Sequence, residues 1–337
     1  MSDLKIVILA GGSGTRLWPV SSKRSPKQVI DFGIKESMIL QAVRKSQKLG
    51  AVYIVAGTEH VEEIDRELTG LKYTIISEPY GKNTAPAVAL GASYLWRKNP
   101  KSNLVFIPVD QDFNESELEK AVLKVAEVVN DTGKIVLTGT KPEKPDPGYG
   151  YIETGKKLGD SIYSIKKIME KPTKNELKRI ELNGGYLWNI FIVGGRAEQF
   201  KKSFETHLPD IAKLFKTDNP IELYRNFKPT GVEKGLFSKN PDLIVVEAKM
   251  QWRDIGNWRA LHKVLEKDIS GNCYIGEKSF GIKNKNTLIF NKTDKIIATI
   301  GLKNIIIATT DNEILIANLK YVDQVGELEK MVNKDKE

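Results

Sequence analysis

Short apolar runs alternate with amphipathic stretches along residues 1–265 of the chain. Residues 6–10 and 104–109 are almost entirely apolar, which is typical of parallel strands that are buried on both faces. Residues 38–49 instead carry apolar side chains at helical spacing, and Ser37 can cap the helix that this spacing predicts. The alternation indicates an α/β fold with a doubly wound sheet.

The pattern changes near residue 268. Short β-rich runs follow at residues 287–290, 295–300, 304–309 and 313–317, and residues 322–333 form an amphipathic stretch that predicts a closing helix. We therefore expect a catalytic domain over residues 1–267 and a small β-rich domain with a closing helix over residues 273–337. The polar segment 268–272 would link them.

The charge, the apolar runs and the cysteine count of the chain restrict the kinds of molecule that it binds and the compartment in which it acts. The net charge is +9, but the basic residues do not form the arginine-rich or aromatic-interleaved stripe that nucleic-acid surfaces show. No apolar run approaches the ~20 residues that span a bilayer. The lone Cys273 favours a reducing compartment. We expect a cytoplasmic protein that binds neither nucleic acid nor membrane, and homodimer formation is left open.

The first apolar run leads directly into Gly11-Gly12-Ser13-Gly14-Thr15-Arg16. Three glycines in four residues let backbone N–H groups approach a phosphate, and Arg16 and Lys27 supply cations nearby. The segment lacks the Lys-Ser/Thr pair of a P-loop, and Leu17 occupies the third glycine position of a dinucleotide fingerprint. The pattern favours a nucleotide triphosphate site over a plain tight turn.

Two aspartates follow predicted strands. Asp110 ends the run at 104–109, and Asp254 follows the strand expected at 243–248. Ligands of open α/β sheets bind beyond the carboxyl ends of strands, and carboxylates suit Mg²⁺. Helix capping by Asp110 and turn stabilisation by Asp254 are the structural alternatives. The sequence leaves the pairing of the two carboxylates open.

Further polar residues stand at predicted turns. Asn83 precedes a predicted helix and can present donors and acceptors to a base edge. Lys171, beside Glu170, can bind a phosphate, while Glu170 and Asn189 can accept from or donate to sugar hydroxyls. Each of these signals is weak alone, because exposed lysines and asparagines are usually surface residues.

Taken together, these segments resemble the sugar-1-phosphate nucleotidyltransferases, and most closely their guanylyl branch. The matching segments are 9–19, 26–28, 78–79, 81–86, 108–110, 148–151, 170–172, 188–189 and 252–258. The length leaves no room for the isomerase domain of long bifunctional relatives, so we expect the short, monofunctional form. The chain departs from the family pattern at Ser22, Val109, Gln111 and Lys234, and these departures leave the strictness of sugar selectivity open.

The resemblance implies a Rossmann-like mixed sheet of the nucleotide-diphospho-sugar transferase type and transfer of GMP from GTP to mannose 1-phosphate with Mg²⁺. It implies catalytic roles for Arg16, Lys27 and Asp110. The implied nucleotide-binding residues are Ala10, Gly11, Gly12, Ser13, Gly14, Thr15, Asn83, Thr84 and Asp110. The implied sugar-phosphate-binding residues are Gly150, Glu170, Lys171 and Asn189, and the implied metal ligands are Asp110 and Asp254. The alternatives are a related enzyme with another sugar or nucleotide, and a catalytically silent sugar-nucleotide-binding paralogue.

Overall fold

The computed structural model describes residues 4–12, 14–22, 25–33 and 36–334. The strands up to residue 254 are β1 (Leu4–Leu9), β2 (Ala51–Gly57), β3 (Thr74–Glu78), β4 (Asn103–Pro108), β5 (Gln111–Phe113), β6 (Val136–Thr140), β7 (Tyr151–Gly159), β8 (Ile162–Met169), β9 (Tyr186–Arg196), β10 (Ile244–Glu247) and β11 (Trp252–Asp254). Nine of these described strands form one mixed sheet in the order β3-β2-β1-β4-β9-β6-β10-β8-β7.

The direction of the strands determines where polar side chains meet. Strands β1 to β4 run parallel to one another, whereas β9 is antiparallel to both β4 and β6. The carboxyl ends of β1, β2, β3 and β4 therefore lie at one edge of the sheet. The predicted Rossmann-like mixed sheet is confirmed.

Helices cover both faces of the sheet. They are α1 (Met38–Gln47), α2 (Val61–Glu67), α3 (Thr84–Lys98), α4 (Glu115–Thr132), α5 (Lys174–Asn183), α6 (Ala197–His207), α7 (Pro209–Ala212), α8 (Ile221–Asn226), α9 (Val232–Gly235), α10 (Trp258–Val264) and α11 (Val325–Lys334). Side chains of Ser37 and Asn83 cap α1 and α3. Thr58 begins a short 3₁₀ turn that precedes α2, and its hydroxyl donates to the carbonyl of Glu78.

Side chains of the sheet alternate between two apolar cores. Ile6 and Ile8 of β1 pack on the side of α1 and α4, and Val7 packs on the opposite side with α3 and α6. All three side chains are fully buried. Burial of each contributes roughly 1.5–3 kcal/mol, so the two cores fix β1 and the glycine-rich turn that follows it.

The C-terminal strands are β12 (Cys273–Ile275), β13 (Ser279–Ile282), β14 (Leu288–Asn291), β15 (Ile297–Ile300), β16 (Ile305–Thr309) and β17 (Ile314–Asn318). Strands β12, β14, β16 and β17 pack on the same core as the large sheet, and the ring of Phe290 lies 5.7 Å from the rings of both Phe32 and Trp258. Strands β12 and β13 were not predicted. No helix in the described part of the chain is long and apolar enough to span a membrane.

Candidate active site

A cleft of about 730 Å³ opens at the carboxyl ends of β1, β2, β3 and β4. The topology brings residues that are far apart in sequence to this one place. The predicted catalytic, metal-binding and nucleotide-binding residues that line the cleft are Gly11, Gly12, Gly14, Thr15, Arg16, Lys27, Asn83, Thr84, Asp110 and Asp254. The predicted sugar-phosphate residues line it as well: Gly150, Glu170, Lys171 and Asn189.

Two glycines of the turn have backbone conformations that favour glycine. The φ angles of Gly12 and Gly14 are 101° and 67°. A Cβ atom at Gly14 would lie 3.0 Å from Oγ of Ser21 and 3.1 Å from Cβ of Lys27, so the turn packs closely against the segment that carries Lys27. At Gly12, by contrast, no described atom lies within 4 Å of the Cβ position. The backbone at Gly12 therefore faces open space where a ligand can approach.

The remaining two residues of the predicted nucleotide-binding set are Ala10 and Ser13. Ala10 is fully buried and does not line the cleft. Its N–H donates to the carbonyl of Val55, and its carbonyl accepts from Nε2 of Gln28. Because both backbone groups of Ala10 form hydrogen bonds within the protein, Ala10 stabilises the glycine-rich turn and does not contact a ligand in the cleft through them. Ser13 lies outside the described residues.

Lys27 and Asp110 form a close ion pair at the bottom of the cleft. Nζ of Lys27 donates to Oδ2 of Asp110 at 2.5 Å, and Lys27 is only 5% exposed. Burial raises the pKa of Asp110, but the charge and the hydrogen bond of Lys27 lower it by more. The pKa of Asp110 therefore lies below its usual range. Lys27 begins a short 3₁₀ helix over Lys27–Val29, in which it is buried. The ion pair is therefore part of the folded structure and not a contact between mobile surface side chains.

Asp254 is held beside Asp110 by a short two-stranded sheet. Strand β11 pairs with β5 so that Asp254 lies opposite Gln111, and the N–H of Ile255 donates to the carbonyl of Asp110 at 2.9 Å. Burial, and then the charge of Asp110, raises the pKa of Asp254 to about 6. Two neighbouring carboxylates destabilise each other unless a cation stands between or beside them.

This carboxylate pair fits a divalent cation. Carboxylate oxygens are hard ligands of the kind that Mg²⁺ prefers, and the positive charge would relieve the repulsion that raises the pKa of Asp254. Within the described residues, His, Cys, Asp and Glu side chains nowhere converge in groups of three or more that could hold a metal. The pair therefore suits a cation that takes its other ligands from phosphate and water.

Arg16 reaches the same place from the glycine-rich turn. A Cβ atom at Gly256 would lie 3.0 Å from Oδ1 of Asp254 and 3.4 Å from a terminal guanidinium nitrogen of Arg16. The absence of a side chain at Gly256 therefore leaves space between the guanidinium and the carboxylate. The cleft has a charged centre made of two cations and two carboxylates.

The opposite wall of the cleft is polar. Asn83 Nδ2, Glu170 Oε2 and Glu233 Oε2 each lie 3.9 Å from the Cβ position of Gly231. The side chain of Asn83 also caps α3, where its Oδ1 accepts from the N–H of Thr84 at 2.7 Å. The predicted base reader Asn83 therefore lies next to the predicted sugar reader Glu170.

Gly150 and Asn189 form another part of this wall. The N–H of Asn189 donates to the carbonyl of Gly150 at 2.9 Å, which joins the end of the 148–150 turn to β9. Oδ1 of Asn189 accepts from the N–H of Phe191, so the amide group has a fixed orientation. Next to it, the ring of Tyr149 packs against Trp188 and Trp252 with centroids 5.1 and 4.6 Å apart.

Two buried carboxyl groups in the cleft were missed by sequence reasoning. Burial raises the pKa of both Glu78 and Glu233 to about 7; Glu170 contributes to the shift at Glu233. Glu78 ends β3, and Glu233 lies in α9. The strand-end rule that selected Asp110 could also have selected Glu78. No local pattern marks Glu233, which lines the cleft from the first turn of the short helix α9.

The nucleotidyl transferase family matches residues 5–271 of the sequence. The chain belongs to this nucleotidyl transferase family. A mannose-1-phosphate guanylyltransferase of Klebsiella pneumoniae is 31% identical over 332 residues, which cover 93% of this chain and 70% of that protein. An Escherichia coli protein of the same name is also 31% identical with the same coverage. The predicted family is confirmed.

This nucleotidyltransferase also shares its fold with solved structures. A structure of a mannose-1-phosphate geranyltransferase from Thermus thermophilus superposes with a TM-score of 0.88 at 24% identity. The superposition covers 98% of this chain and 99% of that one. The likeness therefore extends through the C-terminal strands and not only through the large sheet.

Proposed function

We propose that this nucleotidyltransferase transfers GMP from GTP to mannose 1-phosphate, giving GDP-mannose and pyrophosphate. The observation that carries the proposal is the charged centre, where Arg16, Lys27, Asp110 and Asp254 meet at a glycine-rich turn. The choice of substrates is supported by the relatives named mannose-1-phosphate guanylyltransferase, at 31% identity over 93% of the chain.

The reaction is an in-line displacement at phosphorus. An oxygen of the mannose 1-phosphate attacks the α-phosphorus of GTP, a new P–O bond forms, and the bond to the β-phosphate oxygen breaks so that pyrophosphate leaves. The protein positions the reactants and stabilises charge. Backbone N–H groups at Gly11, Gly12 and Gly14 hold the phosphates, while Arg16 and Lys27 offset the charge that develops on the α-phosphate and on pyrophosphate.

Lys27 has a second effect. Its ammonium holds Asp110 in the ionised form, and hence ready to bind a cation. Asp110 and Asp254 would hold Mg²⁺. When bound, the ion draws electron density from the phosphate oxygens and neutralises their charge. Asp254, whose pKa stands at about 6, is then also favoured in its ionised form.

The polar wall binds the nucleoside and the sugar phosphate. We assign Asn83 and Thr84, at the start of α3, to the nucleoside. Gly150, Glu170, Lys171 and Asn189 bind the sugar phosphate, with Lys171 on the phosphate and the others on hydroxyls. Asn83 and Glu170 lie close together, which supports binding of the nucleoside and the sugar in adjoining parts of the cleft.

The compartment and the division into domains are inferred as the sequence predicts them. We infer that the protein acts in the cytoplasm, and that residues 1–267 and 273–337 are its catalytic and β-rich domains. The single Cys273, buried in β12, is consistent with a reducing compartment.

Product identification tests the proposed reaction. Purified protein is incubated with GTP, MgCl₂ and either mannose 1-phosphate or glucose 1-phosphate, and products are separated by anion-exchange chromatography. We expect GDP-mannose and pyrophosphate in equal amounts, none of either with excess EDTA, and a much slower reaction with glucose 1-phosphate. A faster reaction with glucose 1-phosphate would replace the sugar assignment and keep the reaction class.

A further inference from the structure

Phe191 has an unusual backbone conformation. Its φ angle is 54°, in the left-handed region that favours glycine and disfavours residues with a bulky side chain. Of the described residues other than glycine that have a positive φ, only Phe191 has an apolar side chain. Residues held in this region cluster at sites where the conformation serves a function. The conformation therefore marks this part of β9 as a candidate functional element.

The conformation occurs at a bulge in β9. Leu137 of β6 lies opposite Val193 of β9, whereas Gly139 lies opposite Asn189, so a short step along β6 corresponds to a longer one along β9. Oδ1 of Asn189 accepts a hydrogen bond from the N–H of Phe191 at 3.2 Å, which holds the bulged backbone. Bulges change the direction of a side chain and are frequent next to active sites. The bulge therefore determines where the ring of Phe191 points.

The side chain of Phe191 packs in a core and also reaches the cleft. It is 8% exposed, and it lines the cleft. Its neighbours Ile190 and Ile192 are fully buried on the side of α1 and α4, whereas Phe191 belongs to the core on the side of α3 and α6. Three other side chains that line the cleft belong to this core or pack against it: Leu9, Ala87 and Ile168. Together with Phe191 they form an apolar lining.

The apolar lining adjoins the residues assigned to the sugar phosphate. Ile168 lies two residues before Glu170, and Phe191 lies two residues after Asn189. The Cβ position of Gly150 is 3.6 Å from Cβ of Asn189, so these residues form one wall. A close-packed interior resists changes in volume, and a ring that is packed in it does not move aside readily. The ring therefore limits the size of a sugar more strictly than a mobile polar side chain would.

We propose that Phe191 sets the size limit of the sugar pocket, the part of the cleft lined by Gly150, Glu170 and Asn189. Its ring, held at the bulge of β9, excludes a hexose that carries a larger group at the position facing the ring. This role rests on the proposed function for the identity of the sugar nucleotide. Because the effect is steric, removal of the ring should relax the choice of sugar without removing any polar contact to it.

Binding of sugar nucleotides tests this role without turnover. GDP-mannose is compared with derivatives that carry one extra methyl group, at O2, O3, O4 or O6 of the mannose, by titration calorimetry without pyrophosphate. One additional methylene in a fitted pocket changes discrimination about 10- to 200-fold. We expect the unchanged protein to bind at least one derivative about tenfold or more weakly than GDP-mannose. Equal affinity for GDP-mannose and every derivative would overturn the proposal.

Phe191→Ala and Phe191→Gly should reduce this discrimination. Both variants remove the ring, so the ratio of affinities between GDP-mannose and the excluded derivative should fall about tenfold. Glycine suits the positive φ, so Phe191→Gly should unfold at a higher urea concentration than Phe191→Ala, and it serves as the test if Phe191→Ala does not fold. Folded Phe191 variants that keep every affinity ratio of the unchanged protein would contradict the proposal.

Phe227→Ala is the matched control, because Phe227 is 7% exposed in the same core and does not line the cleft. It should keep the affinity ratios. An equal change of the ratios in Phe227→Ala would show that a loosened core alters selectivity, and would overturn the role of Phe191. Failure of GDP-mannose to bind the unchanged protein would contradict the proposed function, and this role with it. Tight binding with ratios that the Phe191 substitutions do not alter would contradict the role of Phe191 alone.

Discussion

Nζ of Lys27 lies 2.5 Å from Oδ2 of Asp110, and this ion pair joins the segment after the glycine-rich turn to the end of β4. Both side chains face the cleft. Because Lys27 is almost fully buried, neither charge is well compensated without the other. The pair therefore has a structural role as well as a chemical one.

Lys27→Ala should lower both activity and stability. Loss of one group that stabilises the transition state costs about 2.7–4 kcal/mol, which is roughly 100- to 1,000-fold in kcat. The carboxylate of Asp110 left unpaired should lower the free energy of unfolding by about 1–3 kcal/mol. Steady-state kinetics and urea unfolding measure the two effects.

Lys48→Ala is the matched control, because Lys48 pairs with Glu115 on the surface with 67% of its side chain exposed. Surface pairs contribute about 0–1 kcal/mol, so this variant should keep both activity and stability. Equal kcat values for Lys27→Ala and Lys48→Ala would remove Lys27 from the catalytic group.

Asp110→Asn should change the response to metal. The amide keeps the shape of the side chain and removes its charge, so the Mg²⁺ concentration for half-maximal rate should rise at least about tenfold and kcat should fall. Asp112→Asn, two residues along in β5, is the control and should titrate like the unchanged protein. An unchanged Mg²⁺ titration for Asp110→Asn would exclude this residue as a ligand.

The buried carboxyls of Glu78 and Glu233 should make stability depend on pH. Both have a pKa of about 7 in the folded protein and 4.5 as the reference for the unfolded chain. Between these values the folded state keeps protons that the unfolded state has lost. Stability contributed by the protonated groups is therefore full below pH 4.5 and lost as pH rises to 7, by at most about 3 kcal/mol for each residue.

Unfolding by urea without ligand, at about pH 5 and about pH 8, measures this dependence. The double variant Glu78→Gln, Glu233→Gln should lose less stability between the two pH values than the unchanged protein does. Glu62→Gln, at a side chain that is 84% exposed on α2, should not alter the difference. If the double variant shows the full loss, other groups account for it.

The C-terminal helix should influence the nucleotide turn. The Cβ position of Gly326 in α11 lies 3.7 Å from Oγ1 of Thr15 and 4.0 Å from Cγ of Arg16. Alanine fits at this distance, whereas leucine would push against the turn. We expect Gly326→Ala to behave normally and Gly326→Leu to raise KM for GTP several-fold, measured by steady-state kinetics. Normal KM in both variants would show that the turn does not depend on α11.

The parts of the fold that follow from local pattern were predictable. Apolar runs identified β1 and β4, and Ser37 marked the start of α1, because both signals lie within a few residues. The hydrogen bond of Thr58 was not predictable for the opposite reason, since its hydroxyl donates to the carbonyl of Glu78 in the next strand. Sequence alone does not show that partner.

The part of the site that consists of charged residues following predicted strands could be predicted from the sequence. Asp110 and Asp254 were found by that rule, but their closeness depends on the pairing of β11 with β5, which no local pattern announces. Glu78 was named only as part of the matching segment 78–79 and not as a site residue, because the sequence does not show its burial or its unpartnered Oε1. Those properties exist only after the chain has folded.

The most direct measurement is pyrophosphate release from purified protein with Mg²⁺ and mannose 1-phosphate, with GTP, ATP, UTP and dTTP compared at equal concentration. The account predicts rapid release with GTP and release at least about tenfold slower with each of the others. Faster release with another nucleotide would contradict the guanylyl assignment. Absence of release with every nucleotide, from folded protein, would contradict the proposed reaction itself.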